Sequence, residues 1–341
     1  MDRFTRYCKD KDLPKFRTSQ LLQAVYKDLI TSYKDLTTWP LDLRERIATE
    51  LPLDTLKELK YSESADGKTG KVVFKTSKGI LIETVLMRHD KGRNTVCVSC
   101  MSGCPVGCTF CATGKMGFKG MLDSDEIVEQ VLYFARMLKL DDEKVTNVVY
   151  MGMGEPMLNL SNVERSIEVL TSEEGLAMSQ RRITISTSGY IPQLKLLREH
   201  GFKGRIAVSL HAPTQEIREK IMPVVAKAYR LDKLLAELDL LAEVTNKRIS
   251  YEYILIDNVN TSLECARELV NLFKHRLAHI NLIPYNPVAG ESYQKPSRNT
   301  VMRFFDFLEN AGIPVTIRVT MGDDISGACG QLAGLVTENE E

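Results

Sequence analysis

Over the first 60 residues apolar positions recur at helical spacing. In "TSQLLQAVYKDL" and "LDLRERIATEL" they fall three and four residues apart, on one face of a helix. Residues 1 to about 60 are therefore expected to form helices without strands. The period then changes. "KVVFKTSKGILIETVLM" is two β-rich runs around a Lys-Gly turn, which predicts a hairpin. These elements form an N-terminal accessory domain over residues 1–90, followed by a second domain over 91–341.

From Val96 onward strand and helix patterns alternate. A short strand ends at Ser99, and a helix follows from Ser124 to Lys139, with Asp123 and Glu126 spaced as a capping box. The strands "NVVYMG", "RRITIST", "RIAVSL", "ISYEYILI", "INLIPY" and "VTIRV" come next, separated by amphipathic helical stretches. Six β/α repeats and a last strand imply an α/β fold with a parallel sheet. Six units suit a partial (β/α)6 barrel, left partly open, with its active site at the C-terminal ends of the strands. An open doubly wound sheet is the alternative. "GMGEP", "STSG", "SLHAP" and "PYNP" each sit at or just past a predicted strand end, so one rim gathers the polar motifs.

Charge adds little. Lys+Arg and Asp+Glu are both 45, so net charge gives no support for a polyanionic partner and does not exclude one. The C-terminal "TENEE" and the segment "LDSDEIVEQ" are acidic, whereas Lys68 to Arg93 and Lys115 to Lys119 are locally basic. The charged N-terminus has no apolar signal core, and no apolar run approaches the roughly 20 residues of a membrane span. A cytoplasmic location without membrane partners is expected.

Five of the eight cysteines lie in "CVSCMSGCPVGCTFC", residues 97–111. Such bunching in a long chain favours metal or redox chemistry over disulfides. Cys104, Cys108 and Cys111 form C-x3-C-x2-C, which can hold three irons of a [4Fe–4S] cluster and leave the fourth open. A zinc site drawing on Cys97 or Cys100 is the alternative, and the absence of a nearby His weighs against it. Two nucleotide motifs fail: Met157 stands at the third glycine of G-x-G-x-x-G, and Ser62 stands where a phosphate loop near Lys68 needs glycine.

C-x3-C-x2-C directly after the first barrel strand resembles the radical SAM superfamily. "GMGEP" is similar to the segment that receives the amino group of S-adenosylmethionine (SAM). The ordered set "MGMGEPMLN", "ISTSG", "AVSLHAP", "IMP", "INLIPYNP" and "RVTMGDDISGACGQL" extends the likeness over residues 83–332. Together they resemble the RlmN/Cfr family, radical SAM enzymes that methylate an adenine carbon of ribosomal or transfer RNA.

That resemblance implies one [4Fe–4S] cluster on Cys104, Cys108 and Cys111, and two SAM molecules per turnover. It implies that Cys329 carries the methyl group, that Cys97 resolves the covalent product by forming a disulfide, and that Glu83 accepts the proton leaving the base. Gly154, Glu155, Ser186, Ser209, Leu210, His211 and Asn286 would line the SAM pocket. The implied partners are 23S rRNA, tRNA as a second substrate, and an external one-electron reductant of the flavodoxin or ferredoxin type. Adenine C2 is the expected target, and a Cfr-type enzyme acting at C8 is the rival.

Read without the resemblance, Cys329 and Cys97 are small buried hydrophobes, Glu83 an exposed strand carboxylate and His211 a structural histidine. Cys8 and Cys265 keep such structural readings. Cys100 departs from the family pattern, which has a small hydroxyl residue there, and its thiol could form an off-pathway disulfide with Cys97. Two other classes remain: a radical SAM enzyme acting on a polypeptide or small molecule, and a zinc-stabilised RNA-binding module.

Overall fold

The computed structural model describes residues 2–288 and 290–333; the acidic "TENEE" lies outside the described residues. Helices form first, where the apolar period places them: α1 (Arg3–Asp10), α2 (Lys15–Leu22) and α3 (Leu41–Glu50). Asp2 caps α1 by accepting from the N–H groups of Phe4 and Thr5. Pro14 and Pro40 lead into α2 and α3, where a missing N–H costs nothing. Their apolar faces bury Phe4, Leu21, Trp39 and Ile47.

One expectation fails here. Leu56–Glu63 is a strand, β1, so the first 63 residues are not all helical. "LKELKYSE" is charged at four of eight positions, and its pairing slips between Glu58 and Lys60, so no alternation marks it as a strand. Its antiparallel partner β2 (Thr69–Thr76) imposes the extended form. β2 and β3 (Leu81–His89) make the expected hairpin, with Gly79 at φ 78° in the turn. β3 then pairs antiparallel with β4 (Arg93–Cys97), and the sheet runs unbroken across residue 90.

Past β4 a two-stranded ribbon, β5 (Met101–Ser102) and β6 (Gly120–Met121), brackets the cysteine loop and the short helix α4 (Ala112–Lys115). The β/α units follow: α5 (Ser124–Lys139), β7 (Asn147–Tyr150), α6 (Leu160–Thr171), β8 (Ile183–Thr187), α7 (Ile191–Glu199) and β9 (Arg205–Ser209). α8 (Gln215–Ile221) and α9 (Pro223–Ala228) are short additions whose length shows no readable period. α10 (Leu231–Thr245), β10 (Ile249–Leu255), α11 (Leu263–Phe273), β11 (Ala278–Pro284), α12 (Arg298–Asn310) and β12 (Val315–Ile317) complete the series. The Asp123–Glu126 capping box forms as expected at the start of α5.

The large sheet has the order β1-β2-β3-β4-β7-β8-β9-β10-β11-β12, parallel from β4 to β12. Its order never reverses, which is the winding of a barrel and not of a doubly wound sheet. β4 and β12 are not neighbours, so the barrel stays open. Strand side chains such as Val96, Val148, Ile185, Val208 and Ile280 are buried, each stabilising the fold by about 1.5–3 kcal/mol. After β12 the chain crosses back toward the meander: Asp324 accepts from the Ala65 N–H (2.8 Å) and the Ser326 carbonyl from Lys71 Nζ (3.3 Å).

Candidate active site

The loop bearing Cys104, Cys108 and Cys111 is shaped by its own glycines. Gly103 sits at φ 68°, and a Cβ there would lie 1.7 Å from the Gly117 carbonyl oxygen, so no other residue fits. The Thr109 N–H reaches across to the Ile221 carbonyl (3.0 Å) and fixes the loop against the end of α8. All three cysteines line one cavity at the C-terminal rim of the strands.

The donor set fits an iron–sulfur cluster better than a single ion. Among the described residues no three His, Cys, Asp or Glu side chains converge on one point, as zinc requires. Cluster cysteines each bind a separate iron, so a triad spread around a cavity suits them. Burial pushes the Cys104 thiol up to about 12 and Cys108 well above its ordinary value, and Cys108 is raised further by Cys111 and Cys104. Thiols raised in this way, as Cys104 and Cys108 are, become stable thiolates beside a strong cationic centre.

The neighbouring wall holds most of the expected SAM residues. Gly154 (φ 101°) passes so close to Met101 that a Cβ would lie 2.6 Å from its Cβ. Glu155 is buried; its Oε1 accepts from the Met157 N–H (3.0 Å) and its Oε2 from the Ser188 N–H and Oγ (both 2.7 Å). Burial raises this carboxyl, and the Ser188 and Met157 bonds oppose the shift. A carboxylate so oriented can receive an ammonium group. Ser186 and Ser209, at the ends of β8 and β9, also line the cavity.

His211 lines the cavity too, at a left-handed φ of 58°. Its Nδ1 accepts from the Ile254 N–H (3.0 Å), which places the ring proton on Nε2. Burial, with Arg218 second, lowers its pKa to about 3, so the ring is a neutral donor and not an acid–base group at neutral pH. Leu210 and Asn286 stand behind the lining. Leu210 is buried, and its N–H binds the Glu252 carbonyl (3.0 Å). Asn286 Nδ2 donates to the Cys329 carbonyl (3.1 Å), holding that loop in place.

Cys329 opens directly on the cavity, across from the triad. Cys97, the last residue of β4, lies buried behind it. Burial pushes the Cys97 thiol up to about 12, Cys329 adds to the rise, and Arg318 pulls the other way. The surrounding cavity walls also raise the Cys329 thiol by desolvation, although its side chain is open to the cavity, and Arg318 again opposes the shift. The two thiols and one guanidinium are therefore close enough to bias one another. Arg318 is itself held by Glu252 (3.2 Å), which also accepts from Asn281 Nδ2 (2.8 Å).

Glu83 is buried (1% exposed), not an exposed strand carboxylate, and it does not line the cavity. Its Oε1 pairs with Lys71 Nζ (2.8 Å) and its Oε2 accepts from the Ala333 N–H (2.8 Å). Cys100 faces the other way from Cys97: its neighbours are Glu155, Cys104 and the Met153 carbonyl (Sγ to O 3.7 Å). Cys8 and Cys265 are buried in the hydrophobic core.

The sequence reading passed over Arg318, Glu252 and Ser188. Glu252 carried a signal, a lone carboxylate inside the apolar strand "ISYEYILI"; Arg318 directly follows β12, and Ser188 belongs to a rim motif already quoted.

The sequence profile of the Radical SAM superfamily matches residues 98–273, spanning the cysteine loop and the strands that carry the rim motifs. A crystal structure of a radical SAM methyltransferase from Sphaerobacter thermophilus superposes with a TM-score of 0.94 at 41% identity, covering 97% of this chain and 96% of that one. The Dual-specificity RNA methyltransferase RlmN of Campylobacter jejuni is 39% identical over 335 residues, 95% of this chain and 94% of that protein. The Ribosomal RNA large subunit methyltransferase N of Nitrosopumilus maritimus is 38% identical over 330 residues, 95% of this chain and 93% of that protein. The chain belongs to the RlmN family of radical SAM RNA methyltransferases. Among its described residues no helix is long and apolar enough to cross a membrane.

Proposed function

We propose that the chain methylates C2 of an adenine in 23S rRNA and in tRNA by way of a methylated Cys329. The observation that carries this reading is the placement of Cys329. It shares one cavity with Cys104, Cys108 and Cys111, and Cys97 lies beside it. The Nitrosopumilus relative is named for large-subunit ribosomal RNA and the Campylobacter relative for a dual specificity toward RNA, which suits this reading.

Adenine C2 is electron-poor and has no useful acidity, so an electrophilic methyl cannot pass to it directly. Cys329 can take the methyl first, its sulfur displacing the thioether of SAM, and the neighbouring Arg318 favours the thiolate this needs. Cys104, Cys108 and Cys111 would hold a [4Fe–4S] cluster, which would supply the electron for reductive cleavage of a second SAM and so for activation of the S-methyl group. Two SAM per turnover follow. Glu155, with Gly154 and the rim residues Ser186, Ser209 and His211, orients the SAM; Leu210 and Asn286 support that wall from behind.

Glu83 accepts the C2 proton, which requires the Ala333 N–H to release Oε2 first. Cys97 then attacks the Cys329 sulfur; an S–S bond forms as the bond from that sulfur to the transferred carbon breaks, and that carbon takes up a proton to become the methyl group of the released base. An external thiol restores the pair, and a flavodoxin- or ferredoxin-type protein supplies the electron. The target adenine must leave its stack to enter the cavity. In this reading residues 1–90 are an accessory domain handling RNA and 91–341 the catalytic domain.

The test is peptide mass spectrometry of the Cys329 segment after anaerobic, cluster-loaded protein is incubated with SAM alone. One added methyl on Cys329 is expected; an unmodified cysteine with the cluster intact and SAM bound overturns the relay. Nucleoside analysis of modified RNA should then give 2-methyladenosine, whereas the 8-methyl product would establish the Cfr-type reading.

A further inference from the structure

Arg218, the fourth residue of α8, has no place in the chemistry above, yet it is a charged side chain buried beside the cavity. It is 0% exposed. Its Nη2 donates to the Ser188 carbonyl (2.5 Å) and more weakly to the Ser209 carbonyl (3.5 Å). Nε and Nη1 are buried without any acceptor, and no carboxylate pairs with it among the described residues.

A guanidinium has five donors and is almost never found dry and unpaired, because burying a charge is unfavourable unless an opposite charge answers it. Burial lowers this one to about 10, which still leaves it cationic at neutral pH. Its two acceptors, Ser188 and Ser209, line the same cavity as Cys104, Cys108 and Cys111, and Ile221 of the same helix accepts from the Thr109 N–H of the cysteine loop (3.0 Å). The charge that would balance Arg218 is therefore an anion centred on the cysteine triad.

We propose that Arg218 is the built-in counter-cation of the iron–sulfur cluster held by Cys104, Cys108 and Cys111, and that it raises the cluster's reduction potential. This rests on the cluster reading given above. Three thiolates around an oxidised [4Fe–4S] centre leave one net negative charge, and one-electron reduction doubles it. A fixed cation stabilises the second state more than the first, and net charge around a cluster is one of the quantities that set its potential. The cluster gains one electron and the external low-potential donor loses one; no proton moves, because Arg218 stays protonated throughout. The same guanidinium holds Ser188, whose N–H and Oγ hold Glu155, so it also ties the triad to the SAM-orienting carboxylate.

The experiment is a redox titration, followed by electron paramagnetic resonance, of reconstituted full-length protein without SAM. Arg218→Gln should make reduction about tenfold less favourable, a shift of 59 mV toward negative potential for one electron. Arg218→Lys, which keeps the charge, should stay well within that shift. A fully iron-loaded Arg218→Gln protein with the wild-type potential overturns the proposal. If Arg218→Gln fails to fold or to load iron, Arg218→Lys decides: loading restored by lysine supports a charge role, and loading lost in both variants overturns it. Wild-type protein that never takes up an iron–sulfur centre would instead remove the cluster reading itself.

Discussion

The loop from Cys104 to Cys111 and the loop from Gly322 to Ala333 deliver thiols to the same cavity, but they are held in opposite ways. The first is built locally. Gly103 packs on Gly117, the β5–β6 ribbon closes its base, and the Cys111 N–H binds the Cys108 carbonyl (3.2 Å). The second is anchored from afar. Asp324 reaches Ala65 and Ala333 reaches Glu83, partners 259 and 250 positions away in sequence. Its other side meets Ala112 through the Gly330 carbonyl (2.8 Å) and Thr113 through the Leu332 carbonyl (2.6 Å). A loop closed at its base by its own residues, with Thr109 tied to Ile221 besides, keeps its shape. A loop held by a few distant bonds can let go of them without unfolding anything. That suits a rigid metal site in one case and a group that must present its sulfur to SAM, base and Cys97 in turn in the other.

The sharpest way to separate the two loops is to remove one thiol from each. Cys108→Ala should lose iron and every SAM-dependent reaction. Cys329→Ala should keep the iron and the reductive cleavage of SAM while RNA methylation falls below detection. Iron analysis, 5′-deoxyadenosine release and RNA methylation read these separately, and loss of iron in Cys329→Ala would show that the second loop is part of the metal site.

The next effect falls on the anchor. Lys71→Met removes the ammonium that meets Glu83 Oε1 at 2.8 Å, and removing one partner of a buried pair costs about 3–5 kcal/mol. Chemical denaturation should show that loss, whereas Glu83→Gln should cost less stability and still lower RNA methylation by about 100-fold, the lower end for a missing acid–base group. Glu83→Gln with wild-type turnover would reduce Glu83 to an anchor alone.

The same contrast explains what was legible in the sequence. The seven parallel strands, the capping box on α5 and the cysteine triad are local patterns, and each could be read within a short window. β1 was missed because its extended form comes from pairing with β2 and not from its own charged sequence. Cys97, Cys329 and Glu83 were assigned by likeness to a family, since nothing in their own neighbourhoods marks them. Arg318 and Glu252 escaped for a related reason: their ion pair joins residues 66 positions apart, and only the folded rim brings them beside the thiols. Nothing marked Arg218, because burial without a partner is not a property of sequence.

The two thiols that must exchange a disulfide also differ in access, and this separates them by pH. Cys97 is buried and pushed up to about 12, so only a minute thiolate fraction exists at pH 8. Since the thiolate alone reacts, alkylation of Cys97 in metal-free protein should rise about tenfold per pH unit from pH 8 to 11 without levelling off. Cys329, open to the cavity, should react faster at every pH. Quantitative mass spectrometry of iodoacetamide-treated protein gives both curves, and a plateau for Cys97 below pH 10 would mean that Arg318 outweighs burial.

The smallest effect tests how softly the second loop is held. Asn286 contributes one hydrogen bond to the Cys329 carbonyl, while Thr320 Oγ1 donates to its Oδ1 (3.3 Å). Asn286→Ala should cost about 1 kcal/mol of loop placement, the typical net value of such a bond, and slow SAM-dependent methylation of Cys329 by about fivefold. Iron loading and SAM cleavage should stay at wild-type levels, because the triad's loop does not lean on Asn286. A loss of 5′-deoxyadenosine release of the same size would mean that Asn286 acts through SAM and not through the loop.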